Sequence, residues 1–209
     1  MTKLLIWRHG NTDWNAARRV QGQSDVALND LGRRQAAEAA PLLAALRPGR
    51  IWSSDLSRAR DTAAALAAVT GLPVRTDARL RERHFGDWQG LHLTEIAERH
   101  PEAHARWRTG DPDPGCGVES LDVLGKRIGS ALQEIAEAAA GETIVVATHG
   151  GAARQACGYL LGWDPSVLST IGPMHNCHWA ELHHEADRGW RLQAYNAGRL
   201  VSGAPAEAV

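Results

Sequence analysis

Short apolar runs separated by longer amphipathic stretches limit what this chain can fold into. Residues 4–7 (Leu-Leu-Ile-Trp), 50–53 (Arg-Ile-Trp-Ser), 72–75 (Leu-Pro-Val-Arg) and 144–147 (Ile-Val-Val-Ala) read as strands. Between and after them, 31–46, 57–69, 120–140 and 151–161 read as helices. The periodicity is cleanest in 120–140, where Leu121, Leu124, Ile128, Leu132 and Ile135 recur at three- and four-residue steps. Ser120 suits the N-cap there and Gly141 the C′ stop. Strand alternating with helix predicts an α/β fold, a three-layer α/β/α sandwich around a mostly parallel sheet.

Two regions depart from the alternation. Residues 85–118 carry two short helical segments, about 93–100 and 102–108, and then an irregular Gly/Pro loop over 109–117. They read as a small helical cap inserted into the α/β core. Near the C-terminus, 177–182 and 190–195 flank a polar turn at 185–189 and read as a hairpin on the sheet edge. The small, polar tail from Ser202 onward reads as frayed. At 209 residues the chain is expected to form one domain, 1–209, able to bury a core without disulfides.

Charge and cysteine usage narrow the function classes. A formal net charge of −1 supplies no field for nucleic acid or an anionic membrane. No apolar stretch approaches the ~20 residues of a membrane span. Cys116, Cys157 and Cys177 are odd in number and share no CxxC spacing, which argues against a disulfide scaffold or zinc ribbon. Lys3 and Arg8 bracket only four apolar residues, unlike a signal peptide, so the expected compartment is the cytoplasm. Edge strands and apolar helix faces permit a homodimer without demanding one.

The chemistry concentrates at strand ends. The first run leads into Arg8-His9-Gly10, the late one into Thr148-His149-Gly150, and a third into Ser53-Ser54-Asp55 with Arg58 and Arg60 following. Ligands in open α/β sheets sit outside the carboxyl ends of strands, so these residues should share one crevice. An Arg at the start of a helix meets the positive end of the dipole, which is unfavourable unless an anion intervenes. Together they suit phosphoryl transfer. Arg8 and Arg58 would grip a phosphate dianion, a neutral imidazole would attack phosphorus, and His149 as a cation would stabilise the transferring charge. The leaving alkoxide needs a proton, for which Glu82, ahead of the cap, is the candidate acid. Each residue alone also has a structural reading: a hydrogen-bonded His, or a solvated Glu paired with Arg81 or Arg83.

The ordered set Arg8-His9-Gly10-Asn11-Thr12, Asn15, Gln21-Gly22, Asp25, Leu28-Asn29 and Gly32 resembles the opening signature of the histidine phosphatase (phosphoglycerate mutase-like) superfamily. The resemblance continues through Ser54-Asp55-Leu56-Ser57-Arg58-Ala59, Leu80-Arg81-Glu82, Phe85-Gly86, Trp88-Gln89-Gly90, Glu119-Ser120 and His149-Gly150-Gly151. It implies His9 as the nucleophile that becomes phosphohistidine, with Arg8, Arg58 and His149 completing the phosphate pocket. Glu82 would be the general acid that later activates water. Asn15, Gln21, Gly22, His84 and Gly150 would be substrate contacts. The resemblance implies no metal and no cofactor, in keeping with the lack of an HExxH pattern or carboxylate cluster. Val118 stands where many members carry a second Gly before Glu-Ser, which leaves any ligand contact from Glu119 or Ser120 open.

Mutases of this group carry a longer segment between the acid and the second His, and residues 85–90 resemble the phosphatase branch. The resemblance therefore implies a phosphomonoesterase acting on a small phosphorylated metabolite of the sugar phosphate or phosphoglycerate type. A cofactor-dependent phosphoglycerate mutase is the alternative, and a non-catalytic phospho-ligand-binding module is an alternative of another class. Residues 80–91 and the 190–197 ending further resemble actinobacterial glucosyl-3-phosphoglycerate phosphatases. Trp107 would either meet the substrate or seat the cap. Trp7 and Trp52 read as core fillers, His92, His100 and His104 as solvated cap residues, and Cys177 as a small buried strand residue.

Overall fold

The two central strands are apolar on both faces, and their alternation sorts the core into two halves. A computed structural model describes residues 1–111 and 113–199, so the tail from Ser202 lies outside the described residues. In chain order the elements are β1 (Thr2–Arg8), α1 (Asp13–Ala16), α2 (Asp30–Ala44), β2 (Arg50–Ser53), α3 (Ser57–Thr70), β3 (Val74–Thr76), α4 (Leu93–Arg99) and α5 (Pro101–Arg108). They continue with α6 (Leu121–Glu137), β4 (Thr143–Thr148), α7 (Gly150–Leu161), α8 (Pro165–Ser169), β5 (Trp179–Glu185) and β6 (Gly189–Ala197). Single 3-10 turns form at Ala78–Leu80 and Gly86–Trp88.

The six strands lie in the order β3-β2-β4-β1-β5-β6. β3, β2, β4 and β1 run parallel, whereas β5 and β6 are antiparallel additions at one edge. Leu4, Ile6, Ile144 and Val146 face α6 and α7, where Leu124, Ile128, Leu132, Ala153 and Ala156 complete one core. The alternate residues, Leu5, Trp7, Val145 and Ala147, face α2 and α3 and meet Leu43, Ala63 and Leu66. That period-2 sorting produces the three layers. Segment 86–118 gathers its own small cluster from Trp88, Ile96, Ala103 and Val118. Trp107 meets Trp88 edge-on at 6.2 Å, which seats these helices and keeps its ring out of the crevice.

Several boundaries differ from the sequence reading. The Ser120 hydroxyl caps α6 as expected, but the helix ends at Glu137 and Gly141 (φ +87°) instead shapes the turn into β4. The third strand begins at Val74, after Pro73, which has no N–H for a ladder. Cys177 is buried but lies ahead of β5 with φ +57°, and its N–H donates to Arg8 O at 3.1 Å. The short helices α1 and α8 carry too few residues to show a period. No helix among the described residues is long and apolar enough to cross a membrane.

Candidate active site

His9 and His149 meet because their strands are neighbours in register. Arg8 pairs with Thr148 across β1 and β4, and His9 N–H donates to Thr148 O at 2.9 Å. The two imidazoles lie edge to face with centroids 5.1 Å apart. Three hydrogen bonds hold His9 and the turn that follows it. Its Nδ1 is 2.7 Å from Gly10 O, Gly10 N–H donates to Thr62 Oγ1 at 3.1 Å, and Asn176 Nδ2 donates to His9 O at 2.9 Å. A carbonyl only accepts, so Nδ1 carries the hydrogen and Nε2 keeps its lone pair. Burial, and then the charges of Arg58 and Arg8, hold the His9 pKa well below 6.5.

Arg58 is completely buried at the start of α3. Its Nη2 donates to Gly22 O and its Nη1 to Ser24 O, both at 2.7 Å, and its Nε to His149 Nδ1 at 3.2 Å. Burial lowers its pKa to about 10, so it stays charged at neutral pH. Asp25 supplies the anion that an Arg-rich helix start requires, accepting Ser57 N–H at 2.7 Å. His149 is buried, and its pKa also lies well below 6.5, through burial and then the Arg58 charge. Because Arg58 Nε can only donate, His149 Nδ1 is an acceptor, and Nε2–H points to Ser54 Oγ at 2.9 Å. The expected cationic His149 is therefore corrected: the ring is neutral here.

Glu82 ties the far wall together. Its Oε1 accepts N–H bonds from Arg83 and Ala152, both at 2.8 Å, and its Oε2 one from Gly151 at 3.0 Å. The last two amides belong to the first turn of α7, whose orphan donors it satisfies. Arg8 donates through Nη1 to Met174 O. Asn15 forms a capping box with Thr12, and the Thr12 hydroxyl donates to Gln21 Oε1 at 3.0 Å, which fixes the loop leading to Gly22.

These residues enclose a cavity of about 280 Å³. Arg8, His9, Asn15, Gln21, Gly22, Arg58, Glu82 and Gly150 line it, whereas His149, expected in the same crevice, is buried against His9 and is not part of the lining. His84 does not; its imidazole is exposed and accepts Gly86 N–H at 3.0 Å. Arg60 is exposed too and takes no part in the lining. Arg19, Arg154 and Met174 also line the cavity, and neither arginine was singled out from the sequence. Arg154 had a legible signal, four residues past Gly150 on one helix face, whereas Met174 enters from a loop without local pattern. Among the described residues no three His, Cys, Asp or Glu side chains group as metal ligands would.

Residues 4–198 match the histidine phosphatase superfamily (branch 1). The chain is 37% identical to glucosyl-3-phosphoglycerate phosphatase of Mycolicibacterium vanbaalenii over 96% of each chain. It is 43% identical to the metal-independent phosphoserine phosphatase of Arabidopsis thaliana, over 94% of this chain and 82% of that one. A solved structure of the mycobacterial glucosyl-3-phosphoglycerate phosphatase with VO3 superposes with a TM-score of 0.87 at 38% identity, covering 94% of this chain and 99% of the other. The chain belongs to the histidine phosphatase superfamily, branch 1.

Proposed function

We propose that the protein is a metal-independent phosphomonoesterase acting on a small phosphorylated metabolite of the sugar phosphate or phosphoglycerate type through a phosphorylated His9. The observation that carries this reading is the tautomer of His9. Nδ1–H is spent on Gly10 O, so the lone pair of Nε2 is available in a cavity lined by Arg8 and Arg58. In the first step Nε2 attacks phosphorus and the ester P–O bond breaks. The leaving oxygen takes a proton from the Glu82 carboxyl. Water then attacks the phosphohistidine and gives its proton back to Glu82, which releases phosphate and neutral His9. Oε2 of Glu82 holds one amide where Oε1 holds two, and we assign the proton transfer to it. Arg8 and Arg58 hold the charge on the transferring group, with Asn15, Gln21, Gly22 and Gly150 around it.

The names of the relatives support hydrolysis over transfer to a second hydroxyl, and support an ester built on a phosphoglycerate or phosphoserine skeleton. We place the protein in the cytoplasm, in keeping with three free cysteines. The test is phosphate release with a metal chelator present, across sugar phosphates, phosphoglycerates and glucosyl-3-phosphoglycerate, together with acid-quench trapping of phosphohistidine. Release and trapping in the wild type, both lost in a folded His9→Ala variant, are expected. Full turnover in that variant overturns the mechanism. Conversion between 2- and 3-phosphoglycerate without release would assign the protein to the mutase branch.

A further inference from the structure

Arg154 and Gly150 both line the cavity and stand four residues apart on α7. Such residues share a helix face and lie about 6 Å apart along the axis. A half-buried guanidinium therefore sits one turn above the end of α7 that borders the phosphate pocket. Its Nε and Nη2 donate to Leu168 O, which fixes the plane of the group; the other three of its five N–H donors meet no acceptor among the described residues. Among the described residues no carboxylate lies within ion-pair distance of it. Arg19, the other cation outside the inner pocket, differs on this point: Glu95 lies 3.9 Å away and Gly90 O takes its Nη1.

We propose that Arg154 is a specificity-determining residue that binds a carboxylate carried by the substrate a few bonds from its phosphoester oxygen. The inference rests on the phosphatase reading and sharpens it: the substrate class is acidic phosphomonoesters. One uncompensated guanidinium matches a monoanion, and its planar fork matches a carboxylate. A second phosphate dianion would leave about one charge unanswered at the same position.

The test compares kcat/KM for 3-phosphoglycerate and glycerol 3-phosphate, which differ in carrying a carboxylate or a hydroxymethyl group. The wild type should prefer the acidic ester by about tenfold or more, the scale of a charge-assisted hydrogen bond. Arg154→Met should remove that preference mainly by raising KM for 3-phosphoglycerate, and Arg154→Lys should restore part of it. Equal rates for the two esters in the wild type overturn the proposal. So does an equal loss on both esters in Arg154→Met, which would make the residue a strut for Leu168. A melting temperature for each variant separates that strut from unfolding. A variant that instead lost preference for fructose 1,6-bisphosphate over fructose 6-phosphate would assign Arg154 to a second phosphate and overturn the carboxylate. p-Nitrophenyl phosphate serves as the common control. If the wild type fails to cleave even that ester, the phosphatase reading itself falls and the inference with it.

Discussion

The Nε–H of Arg58 donates to Nδ1 of His149 at 3.2 Å, joining residues 91 positions apart. Burial opposes protonation of this imidazole, and a cation donating into it works in the same direction. His149 thus stands behind the nucleophile as a neutral ring whose Nε2–H is engaged with Ser54. The charge for the phosphate falls to Arg8 and Arg58. Arg58 in turn is clamped by two carbonyls of the loop after Gln21, so the loop, the cation and the second histidine form one unit.

Replacing Arg58 should therefore damage three things at once. Arg58→Lys keeps the charge but cannot reach Gly22 O, Ser24 O and His149 together, and kcat/KM should fall by about 100-fold or more. Arg58→Met should also destabilise the fold, at about 1–3 kcal/mol for each orphaned carbonyl. Denaturant unfolding and competitive inhibition by inorganic phosphate check both. A lysine variant with unchanged phosphate affinity would show that the guanidinium fork is dispensable.

The pH dependence follows from the two histidines. Both have folded-state pKa values well below 6.5. Above pH 6.5 each ring is neutral whether the chain is folded or unfolded, so the stability is at its full value there. As pH falls below 6.5 the unfolded chain takes up protons that the folded rings refuse. Stability then drops by about 1.4 kcal/mol per pH unit for each ring until the folded pKa is reached. The difference in unfolding free energy between pH 7.5 and 5.5 should shrink when His9 and His149 are replaced by Gln. Activity should fall on the acid side with an apparent pKa below 6.5, as protonation removes the nucleophilic lone pair. An acid limb centred above 6.5 would contradict this.

Glu82 carries two roles that one substitution separates. Gln at this position cannot act as the acid, and its NH2 would confront an α7 amide where an oxygen now accepts. Glu82→Gln should lower kcat by about 10²–10⁴-fold on alkyl esters, the range of general acid catalysis, and far less on p-nitrophenyl phosphate, whose leaving group needs no proton. Equal losses on both would remove Glu82 as the proton donor.

Much of this site was legible because it lies at strand ends. β1 and β4 are buried on both faces, so their apolar runs stand out, and the residues that follow them immediately are His9 and His149. Asn15, Gln21 and Gly22 were found through an ordered motif, not through periodicity. The protonation of His149 was misread because it depends on which atom of Arg58 faces the ring, a tertiary fact with no local signature. Likewise His84 follows Glu82 by two residues, yet its imidazole is exposed and engages the Gly86 N–H instead of the cavity. Met174 reaches the cavity only because β5 docks beside β1 and brings its preceding loop to Arg8.

The nucleophile's position also depends on a backbone contact between two glycines. A Cβ on Gly32 would lie 2.1 Å from Asn11 O, and one on Gly10 would lie 2.5 Å from Gly32 O. The first turn of α2 therefore presses directly against the turn that carries His9. Asn29 Nδ2 donating to Asn11 Oδ1, and Asn11 N–H donating to Gln35 Oε1, hold the two together. A methyl group at Gly32 meets backbone on the far side, which cannot rotate away, so α2 or the His9 turn must shift. A displacement on the order of 1 Å is enough to cost about 100-fold in rate. Gly32→Ala should thus lower kcat by roughly that factor with the site residues intact. Gly172→Ala, where a Cβ meets nothing within 4 Å, should leave kcat unchanged and serves as the control. Steady-state rates and melting temperatures decide the matter. A Gly32→Ala variant with wild-type kcat would mean that the strand end alone holds His9, without the support of α2.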